Sequence, residues 1–182
     1  MRLLLSLFLL TLFSPILIII SIVIILDDGF PIFFKQKRIG KNNIHFLIYK
    51  FRTMKKDTPD IPTHLMTDNK NIYTKSGPFL RKYSFDEIPQ IINVIKNEMA
   101  FIGPRPALYN QEDLINKRTE KKIQTLVPGI TGWAQVNGRD ELKIDEKVKM
   151  DHYYLKNRSL SLDIKILYLT FFKVSKGDGV SS

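Results

Sequence analysis

The residues in this chain best suited to chemistry are the adjacent carboxylates Asp86-Glu87. Neighbouring carboxylates repel one another unless a metal ion, an arginine or a helix dipole neutralises them. The run Ser84-Phe85-Asp86-Glu87 also satisfies the Ser-x-x-Glu capping box. That register, however, sets Pro89 at the fifth helical position with its ring against the carbonyl of Phe85. If Ile88 caps and Pro89 opens the helix instead, both carboxylates lie on the preceding turn, free to face a site. Ordinary glycoside hydrolysis fits adjacent residues poorly, because its two carboxylates flank the scissile bond about 5 Å or more apart. One carboxylate attacking phosphorus while its neighbour holds a divalent cation suits the pair better.

Cations for such a reaction are at hand. Gly103-Pro104-Arg105-Pro106 holds an arginine between two prolines, which stiffens the backbone and aims a bidentate phosphate-binding fork; a plain proline-rich turn has the same composition. Arg81 precedes Asp86 by five residues, and Lys50-Phe51-Arg52 lies on an expected strand. Each can equally be solvated surface charge, but together they suffice to bind a diphosphate. The segment Pro128-Gly129-Ile130-Thr131-Gly132-Trp133-Ala134-Gln135-Val136-Asn137-Gly138-Arg139 can present an aromatic ring and a cation to a nucleotide or sugar. A packed turn with a core tryptophan explains all of it except Arg139. Neither a P-loop nor a dinucleotide fingerprint is present. With no cysteine, thiolate nucleophiles and Cys-based metal sites are excluded, and His45, His64 and His152 lack metal-binding spacing.

These residues must be carried by a chain of 182 residues, enough for one sizeable core and a membrane element. The net charge of +10 favours an anionic partner: nucleic acid, acidic lipid or a diphosphate. No nucleic-acid-binding module is recognisable, and the N-terminus argues against one. Residues 3–26 are apolar except for Ser6, Thr11, Ser14, Pro15 and Ser21. At about 1.5 Å per residue they can cross a hydrocarbon core of about 30 Å. A cleavable signal fits poorly, since the stretch is too long, Arg2 is the only basic residue before it, and no small-x-small site follows. Pro15 deprives the carbonyl of Thr11 of its amide, so a bend is expected there. Two topologies stay open, a re-entrant helix broken at Ser14-Pro15 and a kinked spanning helix. Lys35, Lys37, Arg38 and Lys41 follow closely, which places the catalytic part on the cytoplasmic side of the inner membrane. The expected division is a membrane-inserted helix over 1–29 and a catalytic domain over 30–182.

The expected fold is α+β and predominantly helical. Residues 31–36 and 44–53 read as a short β-hairpin, and 57–71 as a surface loop. Helical pattern starts within 84–89 and ends by 97; further helices are expected over 108–126 and 144–156. Leu160, Ile164, Leu167, Phe171 and Val174 recur at helical spacing beside Lys165, Lys173 and Lys176. They describe an amphipathic helix suited to a membrane interface or to a core.

Several motifs occur in order along the chain: Ser14-Pro15 in the apolar segment, Phe34-x-Gln36-x-Arg38-x-Gly40, Lys50-Phe51-Arg52-Thr53-Met54, Ser84-Phe85-Asp86-Glu87, Gly103-Pro104-Arg105-Pro106, the glycine-rich run ending at Arg139, and Ser159-Leu160-Ser161-Leu162-Asp163. Together they resemble the bacterial sugar transferase family, the small monotopic phosphoglycosyl transferases that initiate glycan assembly on undecaprenyl phosphate. The resemblance implies a re-entrant helix, Asp86 as nucleophile, Mg²⁺ held at Asp86 and Glu87, and Arg105 and Arg81 at phosphate-binding positions. It implies transfer of a sugar-1-phosphate from a UDP-sugar to a polyprenol phosphate, with UMP released and a phosphosugar ester formed on Asp86. Lys50, Arg52, Arg139, Pro104 and Pro106 complete the candidate substrate-binding set. The competing reading, a membrane-anchored basic interaction protein, requires that substituting Asp86 leave function intact.

Overall fold

In the computed structural model, which describes residues 2–56, 58, 72–138 and 142–176, the apolar N-terminal stretch forms one helix, α1 (Arg2–Asp28). Helical conformation persists through Pro15, so the interruption expected at Ser14-Pro15 does not take the form of a break. The hydroxyl of Ser14 donates to the Thr11 carbonyl at 2.7 Å, replacing the amide that Pro15 lacks. Thr11 and Ser21 likewise return their hydroxyls to helix carbonyls, Thr11 to Phe8 at 2.8 Å and Ser21 to Leu17 at 2.7 Å. Leu4, Leu12, Ile18, Ile19 and Leu26 are exposed, unlike the apolar face of a core helix. Among the described residues α1 is the one helix long and apolar enough to cross a membrane.

The end of α1 enters the protein. Ile20 and Ile24 are buried with Phe51 and Leu80, and Leu17, Ile32, Phe85 and Ile88 pack against them. The Asp27 carboxylate accepts from the Ser76 amide at 2.6 Å, the Ser76 hydroxyl at 2.7 Å and the Lys75 amide at 3.2 Å. Arg52 pairs with the Asp28 carboxylate and donates to the carbonyls of Asp28 (3.0 Å), Gly29 (2.7 Å) and Pro31 (2.7 Å). Those carbonyls include helix-end acceptors without helical partners, so Arg52 caps α1.

Next comes the antiparallel hairpin of β1 (Phe33–Ile39) and β2 (His45–Phe51), in register from Phe33↔Phe51 to Ile39↔His45. β1 runs three residues past the expected end, and the chain turns through Asn42 and Asn43, both at positive φ. Cross-strand partners share a face. Gln36 opposite Ile48, Arg38 opposite Phe46, and Lys50 opposite Phe34 therefore point to one side. On that side Phe46 and Ile48 pack with Val94 and Met99.

The rest of the described chain comprises α2 (Gly77–Lys82), a 3₁₀ helix (Phe85–Gln90), α3 (Ile91–Ile95), β3 (Ala100–Ile102), α4 (Glu112–Glu120), β4 (Gly129–Thr131), α5 (Trp133–Val136), α6 (Ile144–Asn157) and α7 (Leu160–Lys176). The helix expected over 108–126 is confined to α4, because Lys122 turns to positive φ and a separate 3₁₀ turn, Ile123–Thr125, follows. β3 and β4 pair in parallel, Ala100 with Gly129 and Ile102 with Thr131. Their contact needs glycine: a Cβ on Gly129 would lie 2.1 Å from the amide nitrogen of Gly103, and one on Gly132 2.1 Å from its carbonyl oxygen. In α7, Ile166 is buried with Val136 and Tyr154, while Leu160, Ile164, Leu167, Tyr168 and Phe171 are exposed. One face thus serves the core and the other remains open for an interface. The loop expected over 57–71 lies outside the described residues, apart from Thr58, and so does Arg139.

Candidate active site

Asp86 and Glu87 sit on the 3₁₀ helix that leads into α3. Ser84 adopts the left-handed conformation and makes no side-chain cap, so the capping box does not form. Pro89 lies within the 3₁₀ helix and α3 begins at Ile91, which leaves both carboxylates on the turn before the α-helix. They are buried, 6% and 7% exposed.

Burial of two like charges requires compensation. The strand alternation of β2 brings Lys50 Nζ within 2.7 Å of Glu87 Oε1 and 3.8 Å of Asp86 Oδ2. From the loop after β3, Arg105 Nη1 reaches Glu87 Oε1 at 3.2 Å. Arg81, on α2 with its guanidinium over the Tyr73 ring, acts on Asp86 by charge. Burial raises the pKa of Asp86 and the Glu87 charge adds to the rise, while Lys50, Arg81 and Arg105 oppose it. Burial likewise lowers the pKa of Lys50, against the pull of both carboxylates. Three cations thus face two carboxylates, an excess that suits an incoming polyanion.

The backbone carrying Arg105 is held at four successive carbonyls. Pro104 O accepts from Gly129 N (2.9 Å), Arg105 O from Arg118 Nη1 (2.8 Å), Pro106 O from Arg38 Nη1 (3.1 Å) and Ala107 O from Ile39 N (2.9 Å). Arg118, on α4, is itself fixed by the buried Asp151 of α6, at 3.0 and 2.6 Å. Arg38 also bonds the side-chain oxygen of Gln36. Pro104 and Pro106 therefore frame Arg105 within a bonded scaffold.

The structure brings together Asp86, Glu87, Lys50, Arg105 and Arg81. It commits Arg52 elsewhere, to the end of α1. Trp133 stacks on Tyr153 at 5.7 Å between centroids, lies under Lys165, and packs into the core with Val136 and Tyr154. It occupies the packed turn rather than offering an open aromatic face. Sequence reasoning missed Arg118, Asp151 and Asn93 altogether. It quoted Gln36 within a motif and used Arg38 only for membrane orientation; with the strand expected to end at residue 36, the shared face of the two came into view only because β1 runs on to Ile39.

Among the described residues there is no group of three or more His, Cys, Asp or Glu that can hold a metal ion. Asp86 and Glu87 offer two hard oxygen donors, the set from which Mg²⁺ is held when substrate phosphates and water supply the remainder.

The family model described as bacterial sugar transferase matches residues 1–177. The protein named uncharacterized sugar transferase EpsL, from Bacillus subtilis (strain 168), is 41% identical over 96% of this chain and 85% of its own length. The UDP-N-acetylgalactosamine-undecaprenyl-phosphate N-acetylgalactosaminephosphotransferase of Aeromonas hydrophila is 36% identical over 92% of the chain and 41% of its own length. The UDP-glucose:undecaprenyl-phosphate glucose-1-phosphate transferase of Escherichia coli (strain K12) is 38% identical over 90% and 37%. The chain thus spans most of EpsL but less than half of the Aeromonas and Escherichia relatives.

Proposed function

This chain belongs to the bacterial sugar transferase family, and on that basis we propose that it moves a sugar-1-phosphate from a UDP-sugar to undecaprenyl phosphate through a phosphosugar ester on Asp86. The names of the Aeromonas and Escherichia relatives support the donor and acceptor classes. The observation that carries the reading is the buried Asp86-Glu87 pair ringed by Lys50, Arg81 and Arg105. Burying so many charges costs folding energy that an apolar cluster would not. Such an outlay marks a functional site more readily than a binding surface, which disfavours the interaction-protein alternative.

In this mechanism a carboxylate oxygen of Asp86 attacks the sugar-proximal phosphorus. The bond from that phosphorus to the bridging oxygen breaks, and UMP leaves with that oxygen. A phosphate oxygen of undecaprenyl phosphate then attacks the same phosphorus, breaks the ester to Asp86 and returns the free carboxylate. Arg105, with Arg81, binds the donor's phosphates and offsets the charge that builds on them. Lys50 holds Glu87 and favours the ionised form of Asp86. Mg²⁺, held by Asp86 and Glu87, would neutralise charge on the diphosphate. The acceptor is delivered in the plane of the bilayer, so α1 and the open face of α7 set the site at the cytoplasmic headgroups of the inner membrane. The helix can do this by re-entering or by crossing.

The test uses the full chain in detergent with Mg²⁺ and a panel of UDP-sugars but no lipid. Intact mass is expected to show a phosphosugar adduct with one donor, accompanied by UMP. Asp86→Asn is expected to abolish both; an adduct that survives in Asp86→Asn places the nucleophile elsewhere.

A further inference from the structure

The outer edge of β2 is completed by a side chain. Asn93, on α3 and fully buried, accepts from the Tyr49 amide through Oδ1 at 3.0 Å and donates from Nδ2 to the Leu47 carbonyl at 2.7 Å. In a parallel sheet, a neighbouring residue opposite position i bonds the carbonyl of i−1 and the amide of i+1. The Asn93 carboxamide reproduces that pairing opposite Ile48, standing in for the peptide groups of a third strand. Its remaining amide hydrogen goes to Glu98 Oε2 at 2.7 Å, which fixes which end of the carboxamide faces which backbone group. The main-chain carbonyl of Asn93 accepts from the amides of Glu98 (2.9 Å) and Met99 (3.2 Å), so the carboxylate that orients the side chain is held by the same turn.

Two parts of the active site meet through this joint. Lys50 directly follows Tyr49 on β2, and Asp86-Glu87 lie on the turn that runs without interruption into the helix bearing Asn93. We propose that Asn93, oriented by Glu98, is a positioning residue for phosphosugar transfer: it sets the spacing between the Lys50 ammonium and the Asp86-Glu87 carboxylates. It touches neither substrate nor reacting atoms. The inference rests on the reading of Asp86 as nucleophile given above.

Lost positioning slows the chemical step while leaving donor binding largely alone, because Arg105 is held by a different scaffold. Asn93→Asp keeps the acceptor for Tyr49 but loses both donors and sets a second carboxylate against Glu98. Its kcat for UMP release is expected to fall by about 100-fold, the penalty typical of a misplacement near 1 Å, with KM for the UDP-sugar little changed. Asn93→Asp combined with Glu98→Gln restores the contact between the two side chains with reversed polarity but leaves the Leu47 carbonyl without its donor, and is expected to recover only part of the loss. Because Asn93→Asp can fail to fold, Glu98→Ala is measured beside it. It removes only the orienting acceptor, and its kcat is expected to drop roughly tenfold, the rate equivalent of one lost hydrogen bond to a charged group, with Glu98→Gln near native.

Melting curves recorded on the same samples separate unfolding from slowed chemistry. Native kcat in Glu98→Ala, a folded Asn93→Asp with native kcat, or KM rising in step with the fall in kcat would each overturn the proposal. Asp86→Asn serves as the control for the underlying reading. If it retains the adduct, the nucleophile is wrong whatever Asn93 does; if it loses the adduct while the Asn93 and Glu98 variants stay native, the positioning role alone fails.

Discussion

Replacing Asp151 with alanine separates the part of the site that holds the fold together from the part that aims Arg105. Asp151 is 1% exposed and accepts from Arg118 at 3.0 and 2.6 Å, while the Arg118 side chain is 11% exposed and also donates to Arg105 O at 2.8 Å. Asp151→Ala leaves a buried guanidinium without its counter-charge, a loss of about 3–5 kcal/mol. At about 2–4 °C per kcal/mol for a chain of this size, the melting temperature should fall by about 6–20 °C. Changing both partners to apolar residues, Arg118→Met with Asp151→Leu, removes the unpaired charge and should restore most of that stability. It does not restore a donor to the Arg105 carbonyl, whose loss is worth roughly 1.5–3 kcal/mol for a bond from a charged group. The double variant should therefore melt above Asp151→Ala but about 3–12 °C below the native protein by the same conversion, and release UMP at least tenfold more slowly, at about 1.4 kcal/mol per decade. The measurements are fluorescence-monitored melting in detergent and UMP release at saturating UDP-sugar. A double variant that is both stable and fully active would refute the claim that Arg118 aims Arg105, and native-like melting of Asp151→Ala would refute the energetic reasoning.

Burial raises the pKa of Asp86, so its ionised form is lost as pH falls through a value above the usual carboxylate range. UMP release should fail on the acid side at a correspondingly higher pH than an exposed aspartate would give; Lys50→Met, which removes the largest opposing charge, should move that limb further up, and an unmoved limb would exclude Asp86 as the titrating group. Gly129→Ala sets a Cβ 2.1 Å from Gly103 N and 2.5 Å from Thr131 O, both main-chain atoms that no rotamer can clear. A loss of about 1–3 kcal/mol or more in unfolding free energy is expected, and a native midpoint in denaturant would contradict it. Ser14→Ala deprives Thr11 O of its donor and should cost about 1 kcal/mol of membrane-state stability with UMP release retained, measured by unfolding in mixed micelles.

The membrane helix, the hairpin and the last two helices were legible because each rests on local pattern: an unbroken apolar run, alternation around a turn, apolar residues at helical spacing. Asp86, Glu87 and Arg105 stood out as candidates because their immediate neighbours constrain them. Pro89 argues against a capping box whatever the tertiary structure, and two prolines stiffen the backbone around an arginine. Arg118 and Asp151 left no such trace. They lie 33 residues apart on different helices, and on a polar stretch such as α4 an arginine that enters the core looks like those that stay in water. Arg52 misled for the same reason. Its place beside Lys50 suggested a shared task, but the strand ends at Phe51 and the side chain turns to the end of α1. Asn93 was hidden differently, since a buried carboxamide that pairs with a strand edge reads in sequence as one polar residue in an apolar helix.

The junction at Asp27 and Asp28 is tied down at both carboxylates. Both acidic side chains are bonded into the catalytic body, to Ser76 and to Arg52, so helix and body must tilt in lipid as a single lever. Inserting one residue after Ile24 would rotate the preceding helix by about 100° and lift it about 1.5 Å relative to that body. The face of α1 now turned toward Phe51 and Leu80 would swing away from them, leaving the enzyme to choose between its seat in the bilayer and its own core. The angular phase of the anchor, and not only its length, is therefore under constraint.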